Sequence, residues 1–119
     1  MAVTIYHNPR SSKSRQTLEL IRQSGVAHTI VPYLETVPDG TVIASLANGL
    51  GIPVANLLRR GENDFKAAKD LPELADDARL AEWISRHPTV LERPIVVHDE
   101  TGKAVIGRPP ENVLELVSS

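Results

Sequence analysis

The sequence contains no cysteine. Disulfides, thiolate metal sites and any chemistry that runs through a thiol are therefore excluded for the chain as it stands. A surplus of one charge is missing too: 13 Lys and Arg against 15 Asp and Glu leave a formal net charge of -2. Bulk attraction for nucleic acid or an anionic membrane needs a basic excess gathered on one face. Neither is expected as a direct partner, and any anion site must be local. Long apolar runs are absent. No stretch approaches the ~20 residues that cross a bilayer, and Met1-Ala2-Val3-Thr4-Ile5-Tyr6 has neither the basic start nor the apolar run of a signal peptide. A cytoplasmic protein is expected. There is no internal repeat and no low-complexity segment. What remains is 119 residues, 41% hydrophobic and 24% charged, a composition suited to one domain with one core and no linker.

Val3-Thr4-Ile5-Tyr6 is a β-branched and aromatic run that stops at the turn signal His7-Asn8-Pro9, and it reads as a first strand. From Ser11 to Ser24 there is no proline or glycine, and Ser14, Thr17, Leu18 and Ile21 share one face, so a helix follows. Ser11 or Ser12 can cap its start and Gly25 can end it. His28 to Leu34 reads as a second strand, with Pro32 pointing to an edge or an early end. Residues 38–87 show helical periodicity in three pieces: Val42, Ile43, Leu46, Ala47 and Leu50; Val54, Leu57 and Leu58; and Leu80, Trp83 and Ile84. Gly49, Gly51, Pro53, Gly61, Pro72 and Pro88 separate and end them. Pro94 to His98 and Ala104-Val105-Ile106 are two further strands, joined as a hairpin with Gly102 in the turn. Pro110 to Val117 reads as a last helix with Val113, Leu114 and Val117 on one side. The order β-α-β, helices, β-β-α predicts an α/β protein with a four-stranded mixed sheet, because a parallel βαβ pair and an antiparallel hairpin can join edge to edge.

His7-Asn8-Pro9-Arg10-Ser11-Ser12-Lys13-Ser14-Arg15 is the sharpest local feature. A strand ends, a tight loop turns and a helix begins, so loop amides and the unpaired N–H groups of the first turn point into one small space with the positive end of the helix dipole. Such a place binds oxyanions. Arg10, Lys13 and Arg15 raise the potential, and the hydroxyls of Ser11, Ser12 and Ser14 add donors; helix capping by the serines and solvation of the basic residues is the plainer alternative. Arg59, Arg93 and Arg108 each sit at an element end, and three guanidiniums converging on a tetrahedral anion would supply the two-pronged donors that oxyanion recognition uses. Taken singly, each reads first as a surface charge, convergence is not legible in sequence spacing, and Arg60 is a ready decoy. His7 adjoins the loop, where an imidazolium would lower the pKa of a nucleophile. His28, His87 and His98 are dispersed without metal-ligand spacing, so no metal is assigned. Trp83 and Phe65 read as core residues.

With those residues in view, the chain resembles the ArsC family of glutaredoxin-linked arsenate reductases from end to end. The resemblance rests on Thr4-Ile5-Tyr6-His7-Asn8-Pro9, Ser12-Lys13-Ser14-Arg15, Thr17-Leu18, Tyr33-Leu34, Leu57-Leu58-Arg59, His87-Pro88, Arg93-Pro94-Ile95-Val96-Val97 and Gly107-Arg108-Pro109-Pro110. It implies a thioredoxin-like fold with a helical insertion and a cysteine nucleophile after Asn-Pro-x. It further implies an arsenylated intermediate that glutathione and glutaredoxin reduce, with no bound cofactor and a monomeric chain. The family's three oxyanion arginines match Arg59, Arg93 and Arg108, with Asn8 and Ser14 beside them; its activating histidine matches His7; and Arg93-Pro94 resembles the cis-proline junction of thioredoxin folds. The family's cysteine position is Ser11. A hydroxyl is far less acidic than a thiol and forms no mixed disulfide, so the chain is expected to bind oxyanion without turning it over, whether the replacement is deliberate or natural. The alternative is a non-enzymatic regulator of the Spx type, which shares the fold, binds RNA polymerase and carries a Cys-x-x-Cys pair where Ser11 and Ser14 stand here. Activation of Ser11 by His7 for hydrolysis has no acid partner in the sequence.

Overall fold

The computed structural model describes residues 1–118. In chain order the elements are β1 (Ala2–His7), α1 (Ser12–Ser24), β2 (Ala27–Pro32), α2 (Gly40–Leu50), α3 (Asn63–Lys66), α4 (Asp77–Arg86), β3 (Ile95–His98), β4 (Ala104–Ile106) and α5 (Leu114–Val117). Single 3-10 turns lie at Val54–Leu57, Pro88–Val90 and Pro110–Val113. The chain divides into two compact units, residues 1–36 with 93–119, and residues 37–92.

The first unit holds the whole sheet, in the order β2-β1-β3-β4. β1 runs parallel to β2 and antiparallel to β3, and β3 and β4 form the antiparallel hairpin, so the mixed four-stranded arrangement is as expected. β1 alternates strictly, with Val3 and Ile5 fully buried, as a strand covered on one face must. α1 closes the βαβ unit. Ser11 caps it, its Oγ accepting from the Ser14 amide, and Gly25 ends it in the left-handed conformation at φ 77°. Leu18 and Ile21 of α1 join Val3, Ile5, Val96, Val105, Val113, Leu116 and Val117 in one apolar cluster. Each such aliphatic side chain taken fully from water stabilises by about 1.5–3 kcal/mol.

Several boundaries differ from expectation, β1 by one residue at each end. β2 starts at Ala27 and ends at Pro32 rather than Leu34, because Pro32 has no N–H to continue the ladder; it is an edge strand, as its proline indicated. β3 begins at Ile95 and leaves Pro94 outside for the same reason. The last helix is split: the 3-10 turn Pro110–Val113 precedes α5, and its three-residue repeat shifts the phase. Leu114 therefore turns outward at 43% exposure and Leu116 takes its place inside.

In the second unit, α2 and α4 carry the anticipated faces: Ile43, Leu46 and Ala47 from α2, and Leu80, Ala81, Trp83 and Ile84 from α4, are buried. Asp39 and Asp76 cap their N-termini. Trp83 is core, with its indole N–H donating to Asp70 at 3.0 Å and its ring stacked on His87 at 4.2 Å. Phe65 is only half-buried, since it sits on the single-turn α3, too short to present an inward face. The stretch after Val54–Leu57 is extended: Leu58 bridges Leu91, the Arg59 amide donates to the Val90 carbonyl at 2.7 Å, and the Glu92 amide donates to the Leu57 carbonyl at 2.7 Å.

Candidate functional site

The site is built where β1 gives way to α1. His7 and Asn8 finish the strand almost fully buried, at 8% and 6% exposure. The Ser11 amide donates to the Asn8 carbonyl at 3.0 Å and closes a turn over Pro9 and Arg10, which the Asn8 Oδ1 tightens by accepting the Arg10 amide at 3.0 Å. The Arg15 guanidinium donates back to the Pro9 carbonyl at 2.9 Å. These bonds fix the loop so that the head of α1 opens next to Ser11.

Ser14 is fully buried and ties the loop together. Its hydroxyl lies 2.6 Å from His7 Nδ1 and accepts the Asn8 amide at 3.0 Å, while its own amide donates to Ser11 Oγ at 3.3 Å. A buried hydroxyl proton needs an acceptor. His7 Nδ1 is within reach of it. Burial and, after it, the positive charges of Arg22 and Arg15 push the His7 pKa below its ordinary 6.5. His7 thus reaches the Ser11 position through Ser14.

Arg93 and Arg108 lie together: the Arg108 guanidinium approaches the Arg93 carbonyl at 3.5 Å. Both precede prolines in cis peptide bonds, Arg93–Pro94 and Arg108–Pro109. The loops carrying them are pinned against α1. The Gly107 amide donates to the Pro94 carbonyl at 3.0 Å, Thr17 Oγ1 sits 3.4 Å from the Gly107 carbonyl, and a Cβ placed on Gly107 would fall onto Thr17 Oγ1 and 2.8 Å from Pro94 Cγ. Asn112, which the sequence did not single out, clasps the same loop by donating its side-chain amide to the carbonyls of Ile106 at 3.1 Å and Arg108 at 3.2 Å. Its only sequence signal is an amide four residues after Arg108. Ser14 and Thr17, one helical turn apart, therefore link the capping loop to the arginine-bearing loops.

Arg59 belongs to the other compact unit. The Leu58 bridge to Leu91 presents it, and its guanidinium pairs with Glu92 at 3.1 Å with Nε buried. Arg60 beside it is exposed. Among the described residues no group of three or more His, Asp or Glu is placed to hold a metal, and no helix is long and apolar enough to cross a membrane.

A parallel βαβ pair extended by an antiparallel hairpin in the order β2-β1-β3-β4, with a helix N-terminus opening beside the end of β1, defines a thioredoxin-like α/β protein. Residues 6–116 match the ArsC family, and the chain belongs to that family. Among its relatives, the arsenate reductase of Neisseria meningitidis serogroup B (strain MC58) is 42% identical over 113 residues, 93% of this chain and 94% of the relative. The uncharacterized protein YfgD of Escherichia coli K12 is 44% identical over 117 residues, 97% and 96% of the two chains. The solved structure of the arsenate reductase from Vibrio cholerae superposes with a TM-score of 0.83 at 41% identity, covering 97% of both chains.

Proposed function

We propose that the loop His7–Ser14 and the paired Arg93 and Arg108 form an oxyanion site on an arsenate-reductase scaffold, and that Ser11 leaves this chain able to bind arsenate but not to reduce it. The observation that carries the reading is the place of Ser11. It caps α1 and its Oγ accepts the Ser14 amide, and the resemblance to the family gives it the position of the nucleophilic cysteine. A thiolate there would be stabilised by the same amide and by the helix terminus. A hydroxyl gains the bond but remains a poor nucleophile, and it cannot enter the mixed disulfide through which glutathione and glutaredoxin would deliver two electrons to arsenic. The donors do not depend on sulfur: loop amides, the Asn8 side-chain amide and the Arg93 and Arg108 guanidiniums suit a tetrahedral oxyanion. A cytoplasmic monomer is the form in which we expect this chemistry.

The decisive experiment is Ser11→Cys. Arsenate reduction dependent on glutathione and glutaredoxin is expected to appear in the variant and to be absent from the present chain. A folded variant that shows no turnover, under conditions where a thiol-bearing relative is active, overturns the reading. Calorimetric titration of the present chain with arsenate or sulfate at fixed ionic strength tests the binding half. Arg93→Ala and Arg108→Ala are each expected to weaken binding by about 1.5–3 kcal/mol, the range for a hydrogen bond to a charged group, and Arg60→Ala to change little.

A further inference from the structure

Arg59 and Glu92 both belong to the unit of residues 37–92, and the backbone sets them side by side. Leu58 bridges Leu91 in the antiparallel sense, and the amides of Arg59 and Glu92 donate to the carbonyls of Val90 and Leu57 at 2.7 Å each. Leu57, Leu58, Val90 and Leu91 are all buried. This short clasp is therefore anchored by apolar side chains and does not shift without exposing them. The two charged side chains meet on it: Arg59 Nη1 donates to Glu92 Oε1 at 3.1 Å, with 24% and 23% of the side chains exposed.

The pair does not use up the guanidinium. Arg59 Nε is buried with no hydrogen-bond partner, whereas buried donors of this kind are ordinarily satisfied. One carboxylate oxygen against one guanidinium nitrogen is also less than the two-pronged contact that the fork geometry allows. Arg59 is thus a cation held in place by a single prong, with bonding capacity left and a quarter of its side chain open to solvent. Any anion that reaches it comes up against the carboxylate that holds it.

We propose that Glu92 sets the anion preference at Arg59, admitting an oxyanion that carries a hydroxyl and rejecting one that carries none. The inference rests on the reading of Arg59 as an oxyanion arginine, which the family resemblance supplies. Arsenate near neutral pH keeps at least one hydroxyl. That hydroxyl can donate to the Glu92 carboxylate, whose two oxygens offer more lone pairs than the one turned to Arg59. Selenate has the same tetrahedral shape but only acceptor oxygens, so it brings lone pair against lone pair and negative charge against negative charge. Discrimination of this kind comes from a built-in repulsion and not from a better fit.

Arsenate and selenate are the probes, titrated calorimetrically into the present chain near neutral pH and at fixed ionic strength. Arsenate is expected to bind at least about tenfold more tightly than selenate. Glu92→Gln keeps the shape and can turn an N–H toward the anion, so it should raise selenate affinity about tenfold and narrow the preference, with a melting curve showing the variant folded. With Arg59→Ala in place the same exchange should bring selenate little, which separates the pair from a mere change of net charge. Equal affinity for the two anions in the present chain, or an unchanged preference in folded Glu92→Gln, overturns the assignment to Glu92 and leaves the oxyanion reading standing. Binding of neither anion overturns both. The first comparison needs no substitution, so it decides even where a variant fails to fold.

Discussion

His7, Asn8 and Ser14 form a closed hydrogen-bonded group, and its consequences can be measured one residue at a time. Ser14→Ala leaves the Asn8 amide and His7 Nδ1 without their partner in a buried place. Stability is expected to fall by about 1–3 kcal/mol, the cost of an unsatisfied buried polar group, as read by urea denaturation. The depressed His7 pKa has a definite sign. Because the folded state binds the imidazole proton less readily than the unfolded chain, stability is fully present above the ordinary 6.5 and is lost as pH falls through the lowered folded value. Histidine resonances followed by NMR should give His7 a midpoint below 6.5, and His7→Gln should flatten the stability profile in that window. The strand-loop-helix punctuation made His7 and Ser11 legible in the sequence. The shared face with Thr17, Leu18 and Ile21 also turned Ser14 inward, as it is, but its bond to His7 Nδ1 could not be read, because that depends on the rotation of α1 against β1, which only packing sets.

At the scale of elements, the arginine loop is held by small contacts. Gly107 lies so close to Thr17 and Pro94 that a methyl group has no room. Gly107→Ala is expected to cost about 1–3 kcal/mol, as overpacking does, and to weaken oxyanion binding because the Arg108 loop is displaced from α1; thermal melts and calorimetry read the two effects separately. Asn112→Ala removes both donors that clasp the loop while leaving its volume open, so its loss should fall on anion affinity more than on melting temperature. Most elements could be read from periodicity and turn residues: β1, α1, β4 and the two main helices of residues 37–92 have the expected faces. Failures came where a local pattern was too short to fix a phase. The Pro110–Val113 turn moved Leu114 outward, and α3 left Phe65 half-buried.

For the molecule as a whole, the mixed four-stranded sheet followed from the β-α-β and β-β-α halves, whereas the bridge from Leu58 to Leu91 joins residues far apart in sequence with no local signal, and so the presentation of Arg59 could not be read. The formal charge of -2 carries its own expectation: with no basic excess, random duplex DNA at physiological salt should not be retarded in a gel by this chain. Ser11 ties the whole molecule to one atom, because the group at the proposed chemical centre is also the N-cap of α1. Exchanging its hydroxyl for a neutral thiol forfeits cap strength, of the order of 0.5–2 kcal/mol for a lost cap. Ionisation restores an acceptor at the same place. In Ser11→Cys the folded thiol should therefore be more acidic than the unfolded one, so that stability is highest above the unfolded value of about 8.5 and is lost as pH falls through the folded value. A series of melting curves against pH would then titrate the nucleophile with no arsenate in the tube, making the fold its own indicator dye.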